Sequence, residues 1–315
     1  MISLVVPCYN EEENIRPMYE LIVETFKDYK DKYEILFVND GSNDNTIERL
    51  REIVNSTKEE VRVIDFSRNF GKESAIYAGL KESKGDFVAL IDGDLQQDPK
   101  YVLEAVNFLK ENSYFDCVTY YQNVRRESFI MKFFKKNFYR IINRVSETRF
   151  TMDASDFRIL RRNMVNAVLE LQEHYRFSKG IFSWVGFHNQ EFPYEVKDRN
   201  SGSSKWGFRK LFKYAFDGII AFTTVPLKFS TYVGAIASIF SFVYLLVVII
   251  QKLFFGISIP GYPTIITLML FLGGLELLSL GIMGAYIGRN YIETKKRPIY
   301  VARERLSSKD KKWLL

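Results

Sequence analysis

Two acidic residues, spaced two apart, follow one of the most apolar segments of the chain. The run DFVALI leads directly into Asp92, Gly93 and Asp94, and Gln96 comes next but one. Alternate residues of an extended segment point the same way, so both carboxylates can approach one hard cation and the phosphate oxygens bound to it. Acidic turns are common on surfaces, but this one ends a strand-like apolar run. The spacing therefore predicts a Mg²⁺ or Mn²⁺ site for a diphosphate.

Polar residues also follow two other apolar runs near the N-terminus. Tyr9, Asn10 and Glu11 come after ISLVVPC, and Asp40 comes after YEILFVN. Ligands of open α/β sheets bind beyond the carboxyl ends of the strands, so these residues are expected at the same edge as Asp92. Asn10 taken alone also suits a simple strand-to-helix turn and helix N-cap.

The elements that must position these side chains alternate along residues 1 to about 125. Five short apolar segments alternate with four amphipathic stretches whose apolar residues recur every three or four positions. That pattern predicts βαβ units in an α/β fold with a mostly parallel, Rossmann-like sheet. The chain has neither G-x-G-x-x-G nor G-x-x-x-x-G-K-[ST], so phosphates are expected to be held by metal and by cationic side chains instead.

The composition narrows the class of protein but does not identify its ligand. The 315 residues carry a formal net charge of +6, which is compatible with nucleic acid, anionic lipid or phosphorylated substrates. Both cysteines, Cys8 and Cys117, lie in apolar runs, so we expect buried thiols and no zinc cluster. The chain is too large to need disulfides and too apolar to be disordered throughout.

Two long apolar stretches predict a transmembrane hairpin. Residues 229–251 and 264–288 are each long enough to cross a hydrocarbon core of roughly 30 Å, and the second contains one ionisable residue, Glu276. Basic residues flank the outer ends of the pair, which by the positive-inside rule places both termini in the cytoplasm. The opening MISLVVPCY is broken by Pro7 and does not read as a signal peptide. A buried hairpin of a soluble protein is the alternative to a transmembrane one.

The predicted organisation has four parts. Residues 1–205 are predicted to form a cytosolic α/β domain that includes a basic amphipathic helix over 128–145. An interfacial helix follows over 206–227, then the two transmembrane helices within 228–289, and a basic cytosolic tail over 290–315. The amphipathic helix is read as lying on the bilayer surface, although a packed helix with a solvated basic face has the same pattern.

Five further polar residues lie close to the predicted membrane-associated segments. Arg125 and Arg126 follow the fifth strand, and Arg199, Ser203 and Lys205 precede the membrane-entry helix. Guanidinium, ammonium and hydroxyl groups bind phosphate oxygens well, so we expect these five residues to bind the phosphate group of a ligand at the membrane surface. Each of the cations could instead meet anionic lipid.

Several motifs together resemble family 2 glycosyltransferases that load a sugar onto a polyprenyl phosphate, in particular the bactoprenol glucosyltransferase type, related to dolichyl-phosphate mannose synthase. The segments that carry the resemblance span nearly the whole chain: VVPCYNEEENI, FVNDGSNDNT, FSRNFGKESAIYAG, LIDGDLQQDP, SDFRILRR, RFSKGIFSWVGF, GSSKWGFRKLFKYAFDGI and YIGRNYIETKKRP. Gly93 departs from the D-A-D spelling usual in the family, and Ala285 stands where a Glu is expected.

The resemblance implies a GT-A fold and a role for each matching residue. The nucleotide-sugar ligands it implies are Pro7, Tyr9, Asn10, Glu11, Asp40 and Asp92. It further implies that Asp94 and Gln96 bind the metal, and that Asp156 is the catalytic carboxylate near the acceptor. The acceptor, a phosphate monoester, is mostly a dianion at neutral pH, so Asp156 either removes a proton or orients the acceptor. An ion pair with Arg158 or Arg161 at a helix start would give it a purely structural role.

The implied reaction is inverting, metal-dependent transfer of glucose or N-acetylglucosamine from a UDP-sugar to undecaprenyl phosphate at the cytosolic face of the plasma membrane. The product would serve cell-surface polymer glycosylation after a separate flippase moves it across. A homo-oligomer is compatible with the sequence, and no nucleic-acid partner is expected. The alternatives are GDP-mannose or a UDP-aminoarabinose derivative as donor, a processive synthase, and a non-catalytic membrane adaptor that senses nucleotide sugars.

Overall fold

The computed structural model describes residues 1–122, 154–195, 223–255 and 261–309. The predicted amphipathic helix over 128–145 and most of the predicted interfacial helix, 206–222, lie outside these ranges. So do the five residues assigned to the acceptor phosphate: Arg125, Arg126, Arg199, Ser203 and Lys205. Their assignments stay predictions. The described residues fall into two compact units, one containing the N-terminal region together with residues 298–309 and one containing the two long apolar helices.

The first unit is built on one eight-stranded sheet. Its strands are β1 Ile2–Cys8, β2 Tyr33–Asn39, β3 Val61–Phe66, β4 Phe87–Leu90, β5 Cys117–Gln122, β6 Ala154–Arg161, β7 Asn189–Tyr194 and β8 Ala302–Ser307. The helices that accompany them are α1 Ile15–Phe26, α2 Thr46–Ser56, α3 Lys72–Glu82, α4 Lys100–Glu111, α5 Arg162–Glu170 and α6 Ser178–Trp184. The strand order is β7-β5-β6-β4-β1-β2-β3-β8.

The centre of the sheet is parallel and confirms the predicted α/β class. Strands β4, β1, β2 and β3 pair in parallel, and β5 pairs in parallel with β7, whereas β6 and β8 run antiparallel to their neighbours. The chain moves outward from β1 to β3 and then crosses back to add β4 on the other side of β1. The strand order reverses there, and such switch points are where ligands bind in open α/β sheets.

Amphipathic helices cover the sheet as the periodicity predicts. In α1 the buried residues Ile15, Met18, Ile22 and Phe26 recur every three or four positions and share one face. They join a core that includes Leu4 and the apolar residues of the neighbouring central strands. Removal of this apolar area from water is the main contribution to the stability of the unit.

A buried ion pair joins the amino ends of three strands. Glu34 of β2 and Arg62 of β3 are 0% and 1% exposed, and an Arg62 nitrogen lies 2.7 Å from Glu34 Oε2. Ser3 Oγ of β1 and the backbone N–H of Lys84 donate to the other carboxylate oxygen, Oε1. Arg62 also donates to the carbonyl oxygen of Glu82. We call Ser3, Glu34 and Arg62 the Glu34 cluster.

Three strands differ from the sequence-based prediction. Asp156 lies in strand β6, whereas the purely structural alternative placed it at a helix start. Phe157 and Ile159, two positions apart in this strand, both join the hydrophobic core. Strand β7, which was not predicted, adds beside β5. Part of the segment predicted as a basic tail forms β8, which covers the edge of β3; Arg51 of α2 pairs with Glu304 in this strand.

The second unit contains two long helices, α7 Val225–Phe255 and α8 Tyr262–Thr294. Within them, Val225–Gln251 and Ile265–Thr294 are each long and apolar enough to cross a membrane. Many of their large apolar side chains are exposed, among them Phe240, Leu253 and Leu270. The helices extend beyond the predicted spans of 229–251 and 264–288 at both ends, and Lys295, Lys296 and Arg297 follow α8.

Candidate active site

The turn after β4 holds Asp92 firmly. The Gln97 side chain accepts the backbone N–H of Asp92 at 2.9 Å and donates to Asp92 Oδ2 at 3.0 Å. Gln97 is 3% exposed, so these two bonds are shielded from water. A Cβ added at Gly93 would lie 3.3 Å from the Pro7 carbonyl oxygen, which shows how closely this turn approaches the end of β1. The residues predicted to follow β1 and β4 therefore meet at the switch point.

Asp94 lies at the outer part of the same turn. Its Oδ1 accepts the backbone N–H of Gln96 at 3.2 Å, and Leu95 between them has a positive φ of 61°. A non-glycine residue in the left-handed region costs free energy, and such residues concentrate at functional sites. Asp94 and Gln96 are both partly exposed, so neither residue is fully enclosed by the protein.

A hydrogen-bond network fixes the loops after β1 and β2 against each other. Asn10 has a positive φ of 56°, its N–H donates to Ser42 Oγ at 2.9 Å, and its Oδ1 accepts the Asn43 N–H at 2.9 Å. Glu11 accepts a hydrogen bond from Asn14, as a residue of a helix-start turn does. Tyr9 is left 42% exposed beside this network. An exposed ring on a rigid loop can stack against a flat ligand such as a nucleobase.

Asp40, after β2, anchors the start of α3. Its carboxylate accepts the backbone N–H groups of Phe70 and Gly71, at 2.7 Å and 2.9 Å for the shortest bonds. A Cβ at Gly41 would lie 2.3 Å from the Arg68 carbonyl carbon, so only glycine allows the two loops to pack this closely. Asp40 is 3% exposed, and burial raises the pKa of its carboxyl group against the lowering effect of the two N–H donors. Asp40 thus fixes the residue that precedes Lys72.

Lys72, the first residue of α3, bridges two carboxylates. Its Nζ lies 2.6 Å from Asp92 Oδ1 and 2.8 Å from Asp156 Oδ2. Strand β6 is antiparallel to β4 and pairs Arg158 with Leu90, so the start of β6 lies at the carboxyl end of β4 and brings Asp156 beside Asp92. We call Lys72, Asp92 and Asp156 the Lys72 cluster.

The charges of the Lys72 cluster raise the pKa of Lys72 and lower the pKa of Asp156. Burial acts to lower the pKa of Lys72, but the charges of Asp92 and Asp156 outweigh it, so this pKa lies above its usual value. Burial acts to raise the pKa of Asp156, but the charges of Lys72, Lys179 and Arg158 hold it well below its usual value. Lys72 and Asp156 are therefore both charged at neutral pH.

Neighbouring side chains support the cluster. Glu73, the next residue of α3, accepts the N–H of Ser178 at 2.8 Å and also its hydroxyl, so it caps the start of α6. Burial raises the pKa of Glu73, against the lowering effect of these hydrogen bonds. Arg158 is 4% exposed, and its guanidinium lies 4.1 Å from the ring centroid of Phe182 in α6.

Comparison with known proteins identifies the family. The family model described as Glycosyl transferase family 2 matches residues 3–169. CsbB of Bacillus subtilis (strain 168), whose name assigns it provisionally to the glycosyltransferases, is 43% identical over 306 residues, 96% of this chain and 92% of its own. The bactoprenol glucosyl transferase of Shigella phage SfX is 39% identical over 308 residues, 96% of this chain and 99% of its own. The chain belongs to glycosyl transferase family 2.

A solved structure agrees with the fold of this family 2 glycosyltransferase. Glucosyl-3-phosphoglycerate synthase from Mycobacterium tuberculosis, crystallised with Mn²⁺, uridine diphosphate and phosphoglyceric acid, superposes with a TM-score of 0.50 at 16% identity. The match covers 70% of this chain and 76% of that one. Together with the mostly parallel sheet, it confirms the predicted GT-A fold.

The candidate site residues of this glycosyltransferase could supply some, but not all, of the ligands of a divalent cation. Among the described residues, no three His, Cys, Asp or Glu side chains lie close enough together to hold a metal alone. Asp94 and Gln96 offer a carboxylate and an amide oxygen, the donors that Mg²⁺ and Mn²⁺ accept, while phosphate and water oxygens complete the shell in such sites. The donor set therefore fits a metal that arrives with a diphosphate.

The structure brings most of the predicted site residues together and adds two others, Lys72 and Gln97. The predicted nucleotide-sugar and metal ligands lie at the carboxyl ends of β1, β2 and β4. Pro7 is in the last part of β1, and the residues that follow β1, β2 or β4 are Tyr9, Asn10, Glu11, Asp40, Asp92, Asp94 and Gln96. Asp156 joins them, and its ion pair runs to Lys72; Arg161 donates to the carbonyl oxygen of Phe115 at 2.8 Å. Lys72 and Gln97 were not among the predicted site residues. Gln97 is within the DGDLQQDP motif, whereas no local signal connects Lys72 with Asp156, 84 positions away.

Proposed function

We propose that this glycosyltransferase moves a hexose, glucose or N-acetylglucosamine, from a UDP-sugar to undecaprenyl phosphate. The observation that carries the proposal is the placement of Asp156 beside Asp92 at the sheet switch point. One carboxylate follows the strand expected to bind the donor, and the other starts a strand expected to face the acceptor. Support for the lipid acceptor comes from the phage SfX relative, named a bactoprenol glucosyl transferase, which matches 96% of this chain.

The donor side would be arranged by the loops after β1, β2 and β4. Tyr9, Asn10 and Glu11 would contact the nucleoside, while Asp40 shapes the pocket by holding the Phe70–Gly71 backbone. Asp92, oriented by Gln97, would contact the sugar diphosphate. Asp94 and Gln96 would hold Mg²⁺ or Mn²⁺, which supplies positive charge for the departing diphosphate when bound.

The transfer requires one bond to form and one to break. An oxygen of the acceptor phosphate attacks the anomeric carbon, and the bond from that carbon to the β-phosphate oxygen of UDP breaks, with inversion. A phosphate monoester has a second pKa near 6, so the dianion carries no proton that must be removed at neutral pH. Asp156, whose pKa is lowered by neighbouring cations, is a weak base and would act by orienting the acceptor.

The reaction would take place at the cytosolic face of the plasma membrane. Helices α7 and α8 are long enough to span the bilayer, and the basic residues Lys228 and Lys295–Arg297 lie at the two outer ends. Arg125, Arg126, Arg199, Ser203 and Lys205 would contact the acceptor phosphate. The lipid-linked sugar would then serve surface-polymer glycosylation once a separate flippase has moved it across.

A donor panel tests this proposal. The full-length protein in detergent is incubated with undecaprenyl phosphate and labelled UDP-glucose, UDP-N-acetylglucosamine or GDP-mannose, with and without EDTA. We expect lipid-extractable label from one or both UDP-sugars, lost on chelation. Label from GDP-mannose alone would reassign the donor, and label in water-soluble polymer would indicate a synthase. An Asp94→Ala variant that still complements loss of the gene would indicate a non-catalytic adaptor.

A further inference from the structure

Two carboxylates from different strands meet at the point where the proposed donor and acceptor react. Asp92 follows β4 and Asp156 starts β6, and both side chains are only partly exposed, at 29% and 22%. Two carboxylates that contact the same ammonium are close enough to repel each other, and the repulsion grows as water is excluded. Their spacing therefore depends on whatever lies between them, and in this structure that group is the Lys72 ammonium.

The backbone of Lys72 is fixed by its neighbours. The Asp40 carboxylate holds the N–H groups of Phe70 and Gly71, and Gly71 adopts a positive φ of 99° immediately before α3. On the other side, Glu73 caps α6 through Ser178. The ammonium therefore extends from the first residue of a helix, and both neighbours of that residue are held by hydrogen bonds.

Asp92 is oriented from two directions, by Gln97 at Oδ2 and by Lys72 at Oδ1. Lys72 also connects this fixed donor-side carboxylate to Asp156, because its Nζ lies 2.8 Å from Asp156 Oδ2. A side chain with these two contacts sets the distance between the two halves of the site.

We propose that Lys72 is a positioning residue that sets the spacing of the donor-side carboxylate Asp92 and the acceptor-side carboxylate Asp156. Its effect on the reaction is exerted through these two side chains, by fixing the geometry in which the acceptor phosphate approaches the anomeric carbon. The inference rests on the proposed function for its effect on turnover, while the ion-pair geometry itself can be tested without turnover.

The first experiment measures the ion pairs directly. The full-length protein in detergent is labelled with a trace of acetic anhydride, and acetylation of each lysine is followed by peptide mass spectrometry. Lys81, exposed in the last turn of the same helix, is the internal reference. Because only the neutral amine reacts, we expect Lys72 to react at least about tenfold more slowly than Lys81. In the Asp92→Asn/Asp156→Asn double variant the two rates should converge. Equal rates in the unmodified protein would overturn the proposal whether or not the protein transfers sugar.

The second experiment separates positioning from binding. Lys72→Gln should lower kcat by about 100-fold with less than about a threefold change in the donor KM, and Lys72→Arg should recover about tenfold of the loss. Lys81→Gln should leave both constants unchanged. A raised donor KM with unchanged kcat in Lys72→Gln would instead make Lys72 a donor-binding group and refute the proposal. Thermal unfolding identifies any variant that has not folded, and Lys72→Arg then provides the comparison.

A double-mutant cycle tests whether Lys72 acts through Asp156. In an Asp156→Asn background, Lys72→Gln should reduce the residual rate by less than about threefold, because the partner that Lys72 positions is already changed. A loss of about 100-fold in both backgrounds would show independent action and contradict the proposal.

Discussion

The two ends of the central strands contain similar charged groups arranged for different purposes. At the amino ends, Glu34 and Arg62 are 0% and 1% exposed, and their hydrogen bonds to Ser3, Lys84 and Glu82 enclose the pair. At the carboxyl ends, Lys72 is 45% exposed although it pairs with both Asp92 and Asp156. The enclosed pair has its charges satisfied by the protein, whereas the open cluster faces solvent and can exchange partners with a ligand.

The comparison shows why charge pairing alone does not identify a site. Breaking a buried pair leaves one charge unpaired in a medium that solvates it poorly, so the Glu34 cluster should matter for stability. Exposed pairs contribute little to stability because water and salt screen them, so the Lys72 cluster should matter mainly for activity. Exposure and position relative to the strand switch point separate the two cases.

The largest effect is expected at the amino ends. Glu34→Leu leaves the Arg62 guanidinium buried without its carboxylate, which should cost about 3–5 kcal/mol of folding free energy. In a unit of this size, that corresponds to a fall in the thermal midpoint on the order of 10 °C, measurable on the full chain in detergent. Sugar transfer per folded molecule should not change at a temperature where the variant is folded.

A matched control removes both charges. Glu34→Leu/Arg62→Met replaces the pair with apolar side chains and should recover most of the lost stability. If the double variant is as unstable as Glu34→Leu, the cost lies in packing or in the Ser3 and Lys84 hydrogen bonds, and the role assigned to the ion pair is wrong.

The second-largest effect is expected at the carboxyl ends of the strands, and it is a loss of activity rather than of stability. Asp94→Asn should reduce transfer by about 10²–10³-fold, since it removes the one carboxylate assigned to the metal ion whose charge would stabilise the leaving diphosphate. The thermal midpoint should stay within the error of the unmodified protein because Asp94 is partly exposed. A variant that retains full activity, or one that loses stability as Glu34→Leu does, would remove the distinction between the two ends.

The smallest effect concerns pH. The pKa of Asp156 lies well below its usual value because Lys72 and neighbouring cations outweigh its burial, so Asp156 stays ionised throughout the range from pH 5 to 8. The acceptor monoester gains a proton as pH falls through about 6, so kcat/KM for the acceptor should fall about tenfold from pH 7 to 5 with a single inflection. A profile without that inflection would contradict the requirement for the acceptor dianion. A second inflection that disappears in Asp156→Asn would mean that Asp156 acts as the base.

Local patterns predicted the parts of the fold and site that depend on neighbouring residues. The parallel centre, the covering helices and the D-x-D turn each follow from periodicity or spacing within one segment, as Asp92 and Asp94 after an apolar strand illustrate. Strand β8 could not be found this way, because ARERLS has few apolar residues and is a strand only when β3 offers its edge.

Contacts between distant segments account for what the sequence did not predict. Arg62 lies in VRVIDF, where a charged residue suggests an exposed face, and only the folded sheet brings Glu34 to it. Lys72 reaches Asp156 because β6 runs antiparallel to β4, a pairing that no local pattern specifies. The family resemblance supplied Asp156 itself, but it did not supply its partner.

The central claim is that the carboxyl edge of the sheet binds a nucleoside diphosphate together with a divalent cation. Titration calorimetry of UDP into the full-length protein, with Mn²⁺ or with EDTA, tests it most directly. The account predicts binding in Mn²⁺ that weakens at least about tenfold in EDTA and in Asp94→Asn, and that is unchanged in Glu34→Leu/Arg62→Met. UDP affinity that is the same with and without metal, or that Asp94→Asn leaves intact, would contradict it.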